Sequence, residues 1–178
     1  MFKHKSIISE RKIQQRIRKL AAEIDREYKG KTLDIVCVLK GGFFFVSDLM
    51  RALKVPARLH FVAISSYRTN TTTSGTVTLH FSSVNDLKNK DVLVVEDILD
   101  TGITLDYLVK YLGNQQPAST KICVLLDKPH RRRVDVRPDF TGFQIPDHFV
   151  IGYGLDYREL GRNLKYIAIL DPKEYENQ

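Results

Sequence analysis

Apolar residues fall along this chain in two rhythms. From Glu10 onward, Ile13, Ile17, Leu20, Ala21 and Ile24 recur at helical spacing. Ser9 precedes them as an N-cap, Glu10 lies favourably in the first turn, and Gly30 sits just past the end, where a C′ glycine belongs. Leu33–Leu39, Val92–Val95 and Lys121–Leu126 instead read as short apolar runs of the kind found in strands buried on both faces. Phe43–Leu53 predicts a short helix closed before Pro56, and Leu105, Leu108, Val109 and Leu112 mark a second one. Ala57–Ser65 alternates weakly, with Arg58 and His60 on one face; Thr76–Phe81 alternates cleanly through Val77, Leu79 and Phe81. Phe149–Tyr153 and Tyr166–Leu170 predict short late strands, and Lys128–Pro146 reads as a long excursion with little regular structure.

Strand and helix thus alternate through the middle of the chain. That order predicts an α/β fold whose mostly parallel central sheet is flanked by helices on both faces. In such a sheet a ligand sits outside the carboxyl ends of the strands, so the segments following the buried strands are where chemistry is expected. Neither repeat nor linker interrupts the pattern, and 178 residues suit one domain, 1–178, able to bury a core without staples.

Composition changes this picture little. An apolar fraction of 43% and a charged fraction of 28% are those of an ordinary globular protein, and the longest apolar runs are far too short to span a bilayer. Met1 is followed by a basic helical pattern rather than an apolar signal segment, so a cytoplasmic protein with no membrane partner is the expectation. Cys37 and Cys123 lie inside strand runs and read as buried thiols, and the five histidines show no zinc-ligand spacing. The net charge of +7, concentrated in Lys3–Lys19 and in His130–Arg133, suits nucleic acid, a phosphorylated substrate or simple solubility.

The most informative segment is Val94–Thr104. An apolar strand runs into Glu96 and Asp97, then Asp100, then Thr101-Gly102-Ile103-Thr104 opening a helix. Hydroxyls and backbone N–H groups at a helix N-terminus suit a phosphate, while the carboxylates suit sugar hydroxyls and a hydrated Mg²⁺. Lys40-Gly41-Gly42, after the first buried strand, lets N–H groups approach an anion, though alone it reads as a simple tight turn. Ser65–Gly75 is a long polar loop, functional or a plain hairpin connector. Lys128, just after the third buried strand, and Phe149 read alone as surface and core, but together they suit a flat heterocycle bearing a carbonyl.

Taken in this order, from Leu33 to Leu170, these segments resemble the type I phosphoribosyltransferases, and among them the hypoxanthine-guanine branch. The resemblance implies a core of about 30–170 with a small hood formed by terminal segments. It implies purine salvage: Mg²⁺-dependent transfer of 5-phosphoribose from 5-phosphoribosyl-1-pyrophosphate (PRPP) to hypoxanthine or guanine, giving IMP or GMP and pyrophosphate. Glu96 and Asp97 would engage the ribose, Asp100–Thr104 the 5′-phosphate, and Lys40, Gly41, Gly42 and Arg162 the pyrophosphate. Asp100 would be the catalytic base, and Ser66 and Tyr67 would open a lid over 66–75. Lys128, Phe149, Val150 and Asp156 would hold a 6-oxopurine, with Glu96, Asp97 and Asp156 facing the metal. A cis bond is expected at Lys40–Gly41, and a homodimer or homotetramer as the assembly.

Ile103 stands where some relatives carry lysine, and no motif accounts for Arg131–Arg133. The rival reading is an RNA-binding regulator on the same fold, suggested by the basic blocks. Xanthine or a pyrimidine as acceptor is the enzymatic alternative.

Overall fold

A computed structural model describes residues 2–67 and 76–174. In chain order the elements are β1 (His4–Ile8), α1 (Glu10–Glu27), β2 (Leu33–Leu39), α2 (Gly42–Ala52), β3 (Ala57–Tyr67), β4 (Thr76–Ser82) and β5 (Asp91–Leu99). They continue with α3 (Ile103–Gly113), β6 (Ser119–Asp127), β7 (Phe140–Gln144), β8 (Val150–Ile151) and β9 (Ile167–Leu170). A six-stranded sheet runs β4-β3-β2-β5-β6-β7, parallel except for β4, and a three-stranded antiparallel sheet runs β1-β9-β8.

The strand runs are apolar throughout because both faces of the sheet are covered. Ile35, Cys37, Leu93, Val95, Cys123 and Leu125 pack on the side of α1 and α2. Their alternate neighbours Val36, Val38, Val92, Val94, Ile122 and Val124 pack on the side of α3. Helix α1 docks through the five residues that set its rhythm, Ile13, Ile17, Leu20, Ala21 and Ile24, all buried. Burial of such side chains stabilises the fold by roughly 1.5–3 kcal/mol each. The Ser9 hydroxyl accepts from the Lys12 N–H at 3.4 Å, as an N-cap should. Gly30, with φ of 78°, lies one position beyond C′, because Tyr28 itself caps the helix through its N–H to Ile24 O.

Three elements depart from the sequence reading. Strand β1 was hidden in a basic block: HKSII carries little apolar signal, and the strand exists through pairing with β9, which is distant in sequence. Strand β5 does not stop at Val95. The ladder with β6 carries it on through Glu96↔Val124 to Leu99↔Asp127, so the acid pair belongs to the strand rather than to a turn. The excursion after Lys128 contains β7, a parallel edge strand on β6, whose flanking Pro138 and internal Gly142 weaken a strand pattern. Cys37 and Cys123 are buried free thiols, as expected. Burial, helped by the charges of Glu96 and Asp97, pushes the Cys37 thiol up to about 12.

Candidate active site

The β2–β5 boundary is where chain direction across the sheet reverses: β2 leads by way of α2 to β3 on one side, and β5 by way of α3 to β6 on the other. Crevices outside strand ends at such a point are the ordinary ligand sites of open parallel sheets. Lys40-Gly41-Gly42 leaves β2 here, and Asp100–Gly102 leaves β5 beside it.

Gly41 is required by close approach. A Cβ there would overlap Oδ2 of Asp97, and one on Gly154 would overlap the Gly41 carbonyl oxygen. The two glycines therefore let the β2 turn lie between the acid pair and the loop after β8. The cis bond falls one residue earlier than expected, at Leu39–Lys40. Gly41 itself has helical dihedrals (φ −62°, ψ −38°) as the N-cap of α2, so the glycine serves contact with Asp97 and entry into the helix.

Glu96 is 8% exposed and Asp97 is half-buried beside it. Burial, then the charge of Asp97, pushes the Glu96 carboxyl well above the usual range. Burial raises Asp97 too, although the Glu96 carboxyl, the Ile98 N–H at 2.8 Å and the field of Arg162 favour its charged form. Two carboxyls in this state favour a nearby cation. The oxygen donors suit a hard ion such as Mg²⁺, which is commonly held by one or two carboxylates together with substrate phosphates. Among the described residues no group of three or more His, Cys, Asp or Glu side chains is placed to hold a metal ion.

Gly102, with φ of 86°, turns the chain into α3, and the first rung of the helix is Asp106 N–H to Gly102 O at 2.9 Å. The N–H groups of Ile103, Thr104 and Leu105 consequently have no acceptor within the helix and form an anion cradle. The arginine run left unexplained by the sequence braces this turn. Arg132 donates to Leu99 O at 2.9 Å, to Asp100 O, to Val136 O at 3.1 Å and to the Asp127 carboxylate, while Arg133 N–H donates to Thr101 O at 2.9 Å.

Lys128 lies next to this turn, its N–H donating to Leu99 O at 3.0 Å. Its side chain is buried, not on the surface: the ammonium donates to His148 O at 2.7 Å and pairs with Asp147 at 3.4 Å. Arg131 spans the gap between Asp100 (3.0 Å) and the other oxygen of Asp147 (3.2 Å). Phe149 is 39% exposed, rather than core, and stands edge-on to Tyr157 with centroids 5.6 Å apart. Val150 is buried in β8 opposite Ile169.

The loop after β8 brings the remaining charges together. Arg162 donates to Gly154 O at 2.8 Å and pairs with Asp156 at 2.8 Å and Glu159 at 3.3 Å. Glu159 also pairs with Lys40 at 2.9 Å, so a carboxylate of the protein lies between the two cations expected to take pyrophosphate. Those neighbours hold Glu159 below the ordinary range. The Asp156 carboxylate is engaged on both oxygens, by Arg162 and by the Glu159 N–H at 2.8 Å. The lid read over 66–75 begins in the last two residues of β3, Ser66 and Tyr67; positions 68–75 lie outside the described residues.

The site thus gathers Lys40, Gly41, Gly42, Glu96, Asp97, Asp100–Thr104, Lys128, Asp156 and Arg162 around adjoining strand ends, with Phe149 and Val150 at the edge of the small sheet. Arg131, Asp147 and Glu159 are the residues that motif reading missed.

Comparison with known proteins shows the family. The family model of the phosphoribosyl transferase domain matches residues 4–158. The hypoxanthine-guanine phosphoribosyltransferase of Bacillus subtilis is 42% identical over 180 residues, covering 99% of this chain and 100% of that protein. That of Mycobacterium avium is 42% identical over 96% of this chain and 87% of its own length. The crystal structure of a Staphylococcus aureus hypoxanthine phosphoribosyltransferase superposes with a TM-score of 0.92 at 42% identity, covering 96% of this chain and 93% of that one. A Trypanosoma cruzi hypoxanthine phosphoribosyl transferase superposes with a TM-score of 0.93 at 41% identity, covering 99% and 95%.

Proposed function

Because the chain belongs to the phosphoribosyltransferase family, in its hypoxanthine-guanine branch, we propose that it transfers 5-phosphoribose from PRPP to N9 of hypoxanthine or guanine. The products are IMP or GMP and pyrophosphate, and the role is purine salvage. The observation that carries the reading is the placement of the acid pair, the α3 N-terminus and Lys128 at the ends of two adjacent strands, β5 and β6. A ligand that carries a sugar, its phosphate and a base together suits that juncture of strand ends.

Glu96 and Asp97 accept the ribose hydroxyls, and the N–H groups opening α3 with the hydroxyls of Thr101 and Thr104 take the 5′-phosphate. Lys40, Arg162 and the backbone of Gly41 and Gly42 take the pyrophosphate, displacing the Glu159 carboxylate from between the two cations. Glu96 and Asp97, and separately Asp156, would hold Mg²⁺ together with substrate oxygens, and the ion would supply charge neutralisation at the pyrophosphate. Phe149 lies against the base, the Val150 backbone meets its edge and Lys128 donates to the 6-oxo oxygen. The C1′–O bond breaks with its electrons going to pyrophosphate, the N9 lone pair bonds to C1′, and the N7 proton passes to the Asp100 carboxylate. Carboxylates near the sugar favour the positive charge that develops on it.

The test is a spectrophotometric assay with PRPP, Mg²⁺ and each free base in turn. Hypoxanthine and guanine are expected to turn over only with Mg²⁺ present. Adenine is expected to fail, because its 6-amino group would set a donor against Lys128. AMP formation at a rate like that of IMP, or no turnover with either 6-oxopurine, contradicts the reading.

A further inference from the structure

Arg131 belongs to a run that neither the sequence motifs nor the reaction above requires. Yet the tight turn Pro129–Arg131, closed by Arg131 N–H to Lys128 O at 3.0 Å, folds it back over the ends of β5 and β6. Its guanidinium then makes two directed contacts. Nε donates to Oδ1 of Asp100 at 3.0 Å, and Nη1 donates to Oδ2 of Asp147 at 3.2 Å. Asp147 in turn holds Lys128 through Oδ1. The result is a chain of alternating charge, Asp100–Arg131–Asp147–Lys128, that joins the proton acceptor of the reaction to the reader of the 6-oxo group. The next residue, Arg132, holds the backbone carbonyl of Asp100, so consecutive arginines fix both ends of the same residue.

We propose that Arg131 is a positioning residue for base chemistry: it turns the Asp100 carboxylate so that Oδ2 faces the purine N7–H, and through Asp147 it keeps that carboxylate in register with Lys128. This rests on the reading of Asp100 as proton acceptor. Arg131 touches neither sugar nor phosphate in this scheme, so its effect belongs to the proton-transfer step. The side chains of Arg131, Asp100 and Asp147 are 35%, 36% and 52% exposed. Ion pairs so open to water contribute little to folding, and variants here are expected to fold. A planar fork making two contacts at once is also not reproduced by lysine, which presents a single ammonium.

The experiment compares steady-state kinetics of IMP formation by the full chain and by R131M, R131K, D100N and D100N/R131M, with Tm measured for each. R131M is expected to lower kcat by at least about 10-fold with the KM for PRPP changed less than about 2-fold, and R131K to recover part of the loss. In the D100N background, R131M is expected to cost less than about 2-fold, because the two residues act in series. Equal losses from R131M in both backgrounds, or an R131M enzyme as fast as the parent, overturn the proposal. If R131M does not fold, R131K against D100N/R131K decides it by the same criterion. Failure of the parent chain to make IMP overturns the underlying reading and the proposal with it, and is told apart because it appears before any substitution.

Discussion

Lys128 is an ammonium group almost wholly out of water, 7% exposed, between the Asp147 carboxylate and the His148 carbonyl. A buried cation needs such partners. Replacing it with methionine would remove the proposed charged hydrogen bond to the 6-oxo oxygen, an interaction of about 1.5–3 kcal/mol. Lys128→Met is therefore expected to lower kcat/KM for hypoxanthine by about 10- to 100-fold and to narrow the preference over adenine; steady-state kinetics with both bases checks this. At this scale the motif residues were readable because strand ends and helix starts bring them together locally. Arg131, Asp147 and Glu159 were not, because each acts through an ion-pair partner that only folding brings near: Asp100 to Arg131, Lys128 and Arg131 to Asp147, Lys40 to Glu159.

Among the elements, β2 shows how one polar residue is tolerated in a fully buried strand. Asp34 has no exposed surface, and its carboxylate accepts from Arg58 at 2.8 and 2.6 Å and pairs with His60 at 2.9 Å. Arg58 and His60 share a face of β3, as their alternation predicted, and β3 pairs in register with β2. Burial works against the Asp34 charge, but the Arg58 hydrogen bonds and His60 outweigh it and hold the carboxyl below its ordinary value. An acid whose folded value is depressed stabilises the fold above its unfolded value of about 3.9, and this contribution fades as pH falls through the lower folded value. Asp34→Asn is expected to cost about 2 kcal/mol at neutral pH. Denaturant unfolding of the two proteins should converge as pH drops below about 3.9.

The turn between β2 and α2 makes a different kind of demand. Gly41→Ala drives a Cβ into the Asp97 carboxylate, an overpacking worth about 1–3 kcal/mol, and should raise the KM for PRPP together with lowering Tm. Short apolar runs and helical periodicity made β2, β6, the first half of β5 and the helices readable in sequence. Strands β1 and β7 were hidden because short polar or glycine-bearing edge strands owe their existence to a distant neighbour, β9 or β6.

For the whole molecule, the parallel sheet and its change of direction at the β2–β5 boundary decide where ligands can sit, and the small sheet β1-β9-β8 carries the loop holding Asp156, Glu159 and Arg162 back to Lys40. Part of the net charge of +7 is spent inside the site: Arg131 and Arg132, which looked like a basic surface block, are tied to Asp100, Asp147 and Asp127. A crystal structure of the protein with IMP bound tests the account most directly. The 5′-phosphate is expected on the N–H groups of Ile103, Thr104 and Leu105, the ribose hydroxyls at Glu96 and Asp97, and O6 of the base within hydrogen-bond reach of the Lys128 ammonium. A nucleotide seated away from the ends of β5 and β6 would contradict it.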